Sequence, residues 1–110
     1  MNILLISPYM NLRPIDSEYK RVLSPSLSLM TLAGLTPSKH AVRIVDENVR
    51  PLDDAVRADL VGITTNVETA RRSYAIADHF RSGGTPVVLG GIHASANPEE
   101  ASAHADAVCI

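Results

Sequence analysis

The stretch Pro86-Val87-Val88-Leu89-Gly90-Gly91-Ile92-His93 decides how this chain is read. An unbroken aliphatic run bounded by proline and glycine marks a strand of a parallel sheet, covered on both faces, and ligands gather where such strands end. The two glycines at that exit strip the backbone of side chains. They serve either a tight turn or the close approach of something large and flat.

Working outward, Asn2 to Ser7, Val42 to Asp46, Leu60 to Thr64 and Ala107 to Ile110 are also short aliphatic runs. They alternate with helix-like segments, the pattern of an α/β parallel sheet with crossover helices. A first helix is expected to open at Pro25 with Ser24 as its cap, since proline suits the first helical position. Leu27, Leu29, Met30, Leu32, Ala33 and Leu35 make it apolar on most sides and predict its burial. Pro51 to Arg57 predicts a short helical turn. Thr65-Asn66-Val67-Glu68 has capping-box spacing, and Val67, Ala70, Tyr74, Ala77 and Phe80 then recur at helical steps until Gly83-Gly84. Pro98 followed by Glu99 and Glu100 opens a short last helix.

Two features break the regularity. The connection from Pro8 to Pro25 far exceeds the ~2 to 6 residues usual between such elements, and long connections at strand ends are functional or disordered. It carries Tyr9, Met10, Arg13, Tyr19, Lys20 and Arg21. The chain also stops on a strand where this architecture expects a further helix, so it reads as the amino-terminal fragment of a larger enzyme.

At 110 residues, 45% hydrophobic and 20% charged, the chain has the size and composition of one ordinary domain. A net charge of -2, with acids and bases interspersed, leaves no electrostatic footprint for nucleic acid or an anionic membrane. Cys109 is the one cysteine, which excludes a disulfide framework, a zinc-holding cysteine pair and a cysteine set for an iron–sulfur cluster within these residues. A cytoplasmic setting is expected. Met1 to Ile6 is apolar but lacks a basic lead-in, and Pro8 cuts it short of a signal or membrane span.

Taken in order, the aliphatic first strand, Pro25-Ser26-Leu27-Ser28-Leu29, Val45-Asp46-Glu47, Asp59-Leu60-Val61-Gly62-Ile63-Thr64, and Val88-Leu89-Gly90-Gly91-Ile92-His93-Ala94-Ser95 before Pro98-Glu99-Glu100 form a set. That set resembles the amino-terminal cobalamin-binding (vitamin B12) domain of the cobalamin-dependent radical SAM enzymes, across nearly the whole chain. The resemblance implies a flavodoxin-like, Rossmann-like three-layer sandwich, a five-stranded parallel sheet of order 2-1-3-4-5 that lacks its final helix here. It implies cobalamin as ligand, with S-adenosylmethionine and a 4Fe-4S cluster confined to a radical SAM catalytic domain joined in cis and absent from this chain. No activity is expected of this fragment alone. The parent would be a methyltransferase or related enzyme.

The wider cobalamin-binding fold carries D-x-H-x-x-G after strand one, whose histidine coordinates cobalt. Here Ser7-Pro8-Tyr9-Met10-Asn11-Leu12-Arg13 offers no such spacing, so the cofactor is expected base-off with no protein histidine on cobalt and no protein metal ligand. Many radical SAM relatives lack the motif too. The expected cofactor-binding residues are Ser7, Pro8, Tyr9 and Met10 after strand one, Thr64, Thr65 and Asn66 after strand three, and Gly90, Gly91, Ile92 and His93 after strand four. Thr64 and Thr65 can equally finish a strand and cap a helix, and a helix start offers free N–H groups to a ligand. His93 is expected to hydrogen-bond the nucleotide tail or the backbone rather than to ligate cobalt, and His40, His79 and His104 to lie solvated. A side chain at Gly91 is expected to fill cofactor volume and leave the fold intact.

A flavodoxin-like nucleotide- or flavin-binding domain is the alternative, but Ser7-Pro8-Tyr9-Met10 gives a phosphate one hydroxyl and no glycine. Asp46 as a ribose-binding acid would need G-x-G-x-x-G after strand one, which is missing. A phosphate-accepting receiver domain would need an aspartate where Ser7 or Thr64 stands. Self-association through the exposed edge of the last strand is a further expectation.

Overall fold

The computed structural model describes residues 1–10, 26–53 and 55–110. The elements run β1 (Asn2–Ser7), α1 (Leu27–Leu35), β2 (Ala41–Asp46), β3 (Leu60–Thr64), α2 (Ala70–Ser82), β4 (Val87–Gly90), α3 (Ile92–Ala96), α4 (Pro98–Ser102) and β5 (Ala107–Val108). The strands form one parallel sheet in the order β2-β1-β3-β4-β5, an α/β flavodoxin-like arrangement. No described helix is long and apolar enough to cross a membrane.

Register sorts the side chains into two faces. Leu4 lies beside Val61 and Val61 beside Val87, while Ile6 lies beside Ile63 and Ile63 beside Leu89. These six aliphatic side chains are buried on one face against Ile76, Ala77 and Phe80 of α2 and against Ala94, Ala101 and Ala105. Each contributes about 1.5 to 3 kcal/mol, so this face carries most of the hydrophobic stabilisation. The opposite face presents Leu5, Gly62 and Val88 in register. Leu29 of α1 packs there.

α1 departs from expectation twice. Its cap is Ser26, whose Oγ accepts the Leu29 N–H at 3.4 Å; Ser24 and Pro25, and with them Arg13, Tyr19, Lys20 and Arg21, lie outside the described residues. Only Leu29 is buried, while Leu27 and Leu35 are 71% and 76% exposed. An outer-layer helix offers a sheet one stripe, and apolar residues spread around α1 cannot all share it.

Reciprocal bonds of the capping-box kind form one residue later than predicted, and they close the turn that leads into α2 rather than cap the helix, whose N-cap is Thr69. Asn66 Oδ1 accepts the N–H groups of Glu68 (2.9 Å) and Thr69 (3.0 Å), and Thr69 Oγ1 accepts the Asn66 N–H at 3.1 Å. Thr65 cannot cap because its backbone extends the sheet: its N–H donates to the Gly90 carbonyl at 2.7 Å and its carbonyl accepts the His93 N–H at 3.1 Å. Val67 therefore falls outside α2 and is exposed. The helix ends as expected: Gly84 takes φ +85°, and the Gly84 and Thr85 N–H groups return to the Arg81 and Phe80 carbonyls.

Between β2 and β3, where Pro51 to Arg57 predicts a short helical turn, a turn is closed by Val56 N–H to the Asp53 carbonyl and Ala55 N–H to Asp53 Oδ1. Such local aspartate bonds compete with helix formation. β5 is an edge strand, shorter than predicted, and among the described residues it pairs with β4 alone.

Candidate functional site at the carboxyl edge

At the carboxyl ends of the strands Ser7 lies beside Asp46, and Thr64 beside Gly90. A groove of about 540 Å³ opens there on the α1 side of the sheet, bounded by Leu29 and Leu32 and floored by Gly62, Thr64, Val88 and Gly90. That volume suits a small-molecule site. Its walls are mainly aliphatic side chains and glycine backbone, joined by Ser28, Thr31, Thr64 and Cys109, with none of the four histidines among them. A larger concavity of about 660 Å³ lies at the other end of the sheet, lined by Asn2, Asp59, His79 and Thr85. The carboxyl-end groove is the better candidate, because ligands in open parallel sheets sit outside the carboxyl ends.

The glycines differ in what they do. A Cβ on Gly90 would rest 3.5 Å from Cys109 Cβ, an ordinary contact, so its absence keeps the groove floor low. Gly91 has φ +104°, and a Cβ there would fall 2.6 Å from the Thr65 carbonyl oxygen and 2.9 Å from the Thr65 nitrogen. The expectation that a side chain at Gly91 leaves the fold intact is therefore corrected: its first collision is with the protein's own β3 exit.

Thr64 lines the groove, whereas Thr65, the next residue, is buried and is not among its lining residues. Among the described residues Thr65 Oγ1 and Ser73 Oγ are buried side-chain atoms without a hydrogen-bond partner. Leaving a hydroxyl unsatisfied costs about 1 to 3 kcal/mol, so an orphan at a strand exit asks for a partner.

After β1, Pro8 is buried, Tyr9 is exposed and Met10 is half-buried. The Tyr9 N–H donates to Glu47 Oε1 at 3.3 Å and the Met10 N–H to Asn48 Oδ1 at 3.2 Å. Asn48 Nδ2 reaches both the Pro8 carbonyl (3.4 Å) and Asp46 Oδ1 (3.0 Å). Arg72 forks onto Glu47 at 3.0 and 2.8 Å, and its guanidinium lies 5.2 Å from the Tyr9 ring centroid. Glu47, Asn48 and Arg72 were not anticipated as site residues. The polar Asp46-Glu47-Asn48 run at a strand exit was the available signal.

Ile92 is 83% exposed at the start of α3. His93 is turned to a cluster on the α2 side. Its Nε2 lies 2.7 Å from Glu100 Oε2, which also accepts the Tyr74 hydroxyl at 2.7 Å, and Tyr74 stacks on His104 at 4.2 Å. Burial, then the hydrogen bond to Glu100 and its charge, push the Tyr74 hydroxyl up to about 12. The bonds from Tyr74 and then His93 hold the Glu100 carboxyl below its ordinary value. His104 also meets Asp78 at 2.9 Å, and His40 meets the amino terminus at 3.1 Å. No described group of three or more His, Cys, Asp or Glu could hold a metal ion. The groove sets aliphatic side chains and glycine backbone beside the Thr64 hydroxyl, the mix of apolar walls and few polar groups usual in binding sites.

Fold and site thus define a flavodoxin-like α/β domain with an apolar groove at the carboxyl edge of its sheet. The chain is 44% identical over 96 residues to bacteriochlorophyllide d C-8(2)-methyltransferase of Chlorobaculum tepidum, covering 86% of this chain and 21% of that protein. It is 31% identical over 87 residues to bacteriochlorophyllide d C-12(1)-methyltransferase of the same organism (77% and 19%), and 30% identical over 112 residues to an uncharacterized methyltransferase of Pyrococcus horikoshii (90% and 23%). The chain spans about a fifth of the length of these curated relatives. No family profile matches it. No solved structure matches it either.

Proposed function

We propose that this domain holds cobalamin, base-off and without a protein histidine on cobalt, at the carboxyl edge of its sheet. We further propose that it serves a methyltransferase whose radical SAM catalytic domain lies elsewhere in the protein, in the cytoplasm. The observation that carries this reading is the apolar groove between α1 and strands β3 and β4, floored by Gly62 and Gly90 and reaching Thr64 at the carboxyl edge. The fit is chemical as well as steric. A flat, largely apolar heterocyclic base with a polar tether suits a slot with bare backbone beneath it and hydroxyls at its mouth.

Thr64 would bind the tether and Gly90 would admit the ring, while Ser7 and Pro8–Met10 would line the approach from β1. Cobalamin bound here would supply a cobalt centre able to accept and hand on a methyl group. The residues of this chain bind and orient. The methyltransferase names of the relatives support the same reading.

The test is to titrate the purified chain with hydroxocobalamin, desalt it and record the visible spectrum, with flavin mononucleotide run in parallel. Retained cobalamin with a base-off spectrum is expected. Retention of the flavin instead, or of neither, would sink the reading, and nitrogen hyperfine coupling from a protein imidazole in the cobalt(II) state would sink its base-off part.

A further inference from the structure

The three residues that leave β1 are braced more heavily than an exposed loop requires. Glu47 sits immediately after β2, its N–H donating to the Ser7 carbonyl at 2.9 Å, and its side chain is only 4% exposed. Arg72 in the first turn of α2 forks onto that carboxylate and lays its guanidinium against the Tyr9 ring. The same carboxylate takes the Tyr9 N–H, and Asn48 takes the Met10 N–H and holds the Pro8 carbonyl. Three segments far apart in sequence meet at one point on the carboxyl edge.

Such a pair is a poor device for stability alone, because removing a carboxylate from water offsets much of what the attraction gains. A planar fork contributes geometry: it fixes the carboxylate that fixes the Tyr9 amide. We propose that Arg72 and Glu47 are positioning residues that hold Pro8–Met10 in a preformed wall for the ligand bound at this edge. The inference rests on the cobalamin reading above. Neither residue need touch the ligand; they spare it the cost of ordering that wall on binding.

The test uses the double variant Glu47→Gln/Arg72→Met, which removes both charges and so strands neither in the interior. Arg72→Lys serves as the second variant, keeping the charge and losing the fork. In the free protein, hydrogen exchange at the Tyr9 and Met10 amides is expected to accelerate at least about tenfold in the double variant, with the β3 and β4 amides unchanged. Hydroxocobalamin is expected to bind roughly 5- to 10-fold more weakly, as freeing one or two ordered side chains implies. The bound visible spectrum should shift toward that of the free cofactor, a change that a merely structural tie would not produce. Arg72→Lys should reproduce both effects in part.

Parent-like exchange, affinity and spectrum in the double variant would overturn the proposal, as would full restoration of all three by lysine. If the double variant does not fold, Arg72→Lys decides by the same readouts. A parent chain that retains no cobalamin would fell the cofactor reading and this inference with it, whereas a binding parent with unaltered variants would overturn the brace alone.

Discussion

Replacing Gly91 by alanine places a Cβ 2.6 Å from the Thr65 carbonyl oxygen and 2.9 Å from its nitrogen, on a backbone at φ +104° and ψ 179°. Both atoms are main chain, and both are engaged, with the Gly90 carbonyl at 2.7 Å and the His93 N–H at 3.1 Å. Relief by rotating a side chain is therefore not available. The backbone conformation alone costs a non-glycine residue about 1 to 3 kcal/mol. Overlap in a packed region adds about as much again, giving about 2 to 6 kcal/mol against a whole-domain stability of ~5 to 15 kcal/mol. With a urea slope of ~1 to 3 kcal/mol per molar, the unfolding midpoint should fall by about 1 M or more. Gly34→Ala is the matched control, since a Cβ there, in the last turn of α1, meets nothing within 4 Å among the described residues. It should stabilise by up to ~1 kcal/mol, because alanine surrenders less backbone entropy in a helix. A Gly91→Ala midpoint equal to that of the parent would refute the reasoning.

Thr65→Val keeps the shape and removes the orphaned hydroxyl, so the protein should be as stable as the parent or more so by urea unfolding; a clearly lower midpoint would show that the hydroxyl has a partner. The Tyr74–Glu100 contact should give two pH-dependent limbs. Because the Tyr74 pKa is raised from 10.0 to about 12, its contribution is complete below pH 10 and lost as pH rises toward 12; because that of Glu100 is lowered, its contribution is complete above the ordinary carboxylate range and lost as pH falls through the depressed value. Tyr74→Phe should remove the alkaline limb, and an unchanged alkaline slope in urea midpoints would refute the assignment. β5, paired on one side only, should drive concentration-dependent association in sedimentation; strictly monomeric behaviour at high concentration would count against it.

The strands were legible because a strand of a parallel sheet must be aliphatic along its length: Leu60–Thr64 and Val87–Gly90 stand where the runs Leu60 to Thr64 and Val87 to Gly90 placed them. Glycine and proline punctuation likewise located the end of α2 and the start of α4, since those conformations are local properties of the residues. What depends on neighbours distant in sequence was not legible. Thr65-x-x-Glu68 and Asn66-x-x-Thr69 are both plausible boxes, and only the bond from Thr65 to the Gly90 carbonyl excludes the first. The apolar residues of α1 indicate burial, yet only Leu29 of this helix is buried among the described residues. Gly91 looked like a ligand-facing glycine until β3 and β4 were side by side. Nothing near Glu47 in the chain announces Arg72, because the fork forms only once β2 and the first turn of α2 are brought to the same edge of the sheet. A local pattern determines which conformation a segment adopts. Which groups then meet is decided by register and layer packing, and the ligand site is made of those meetings.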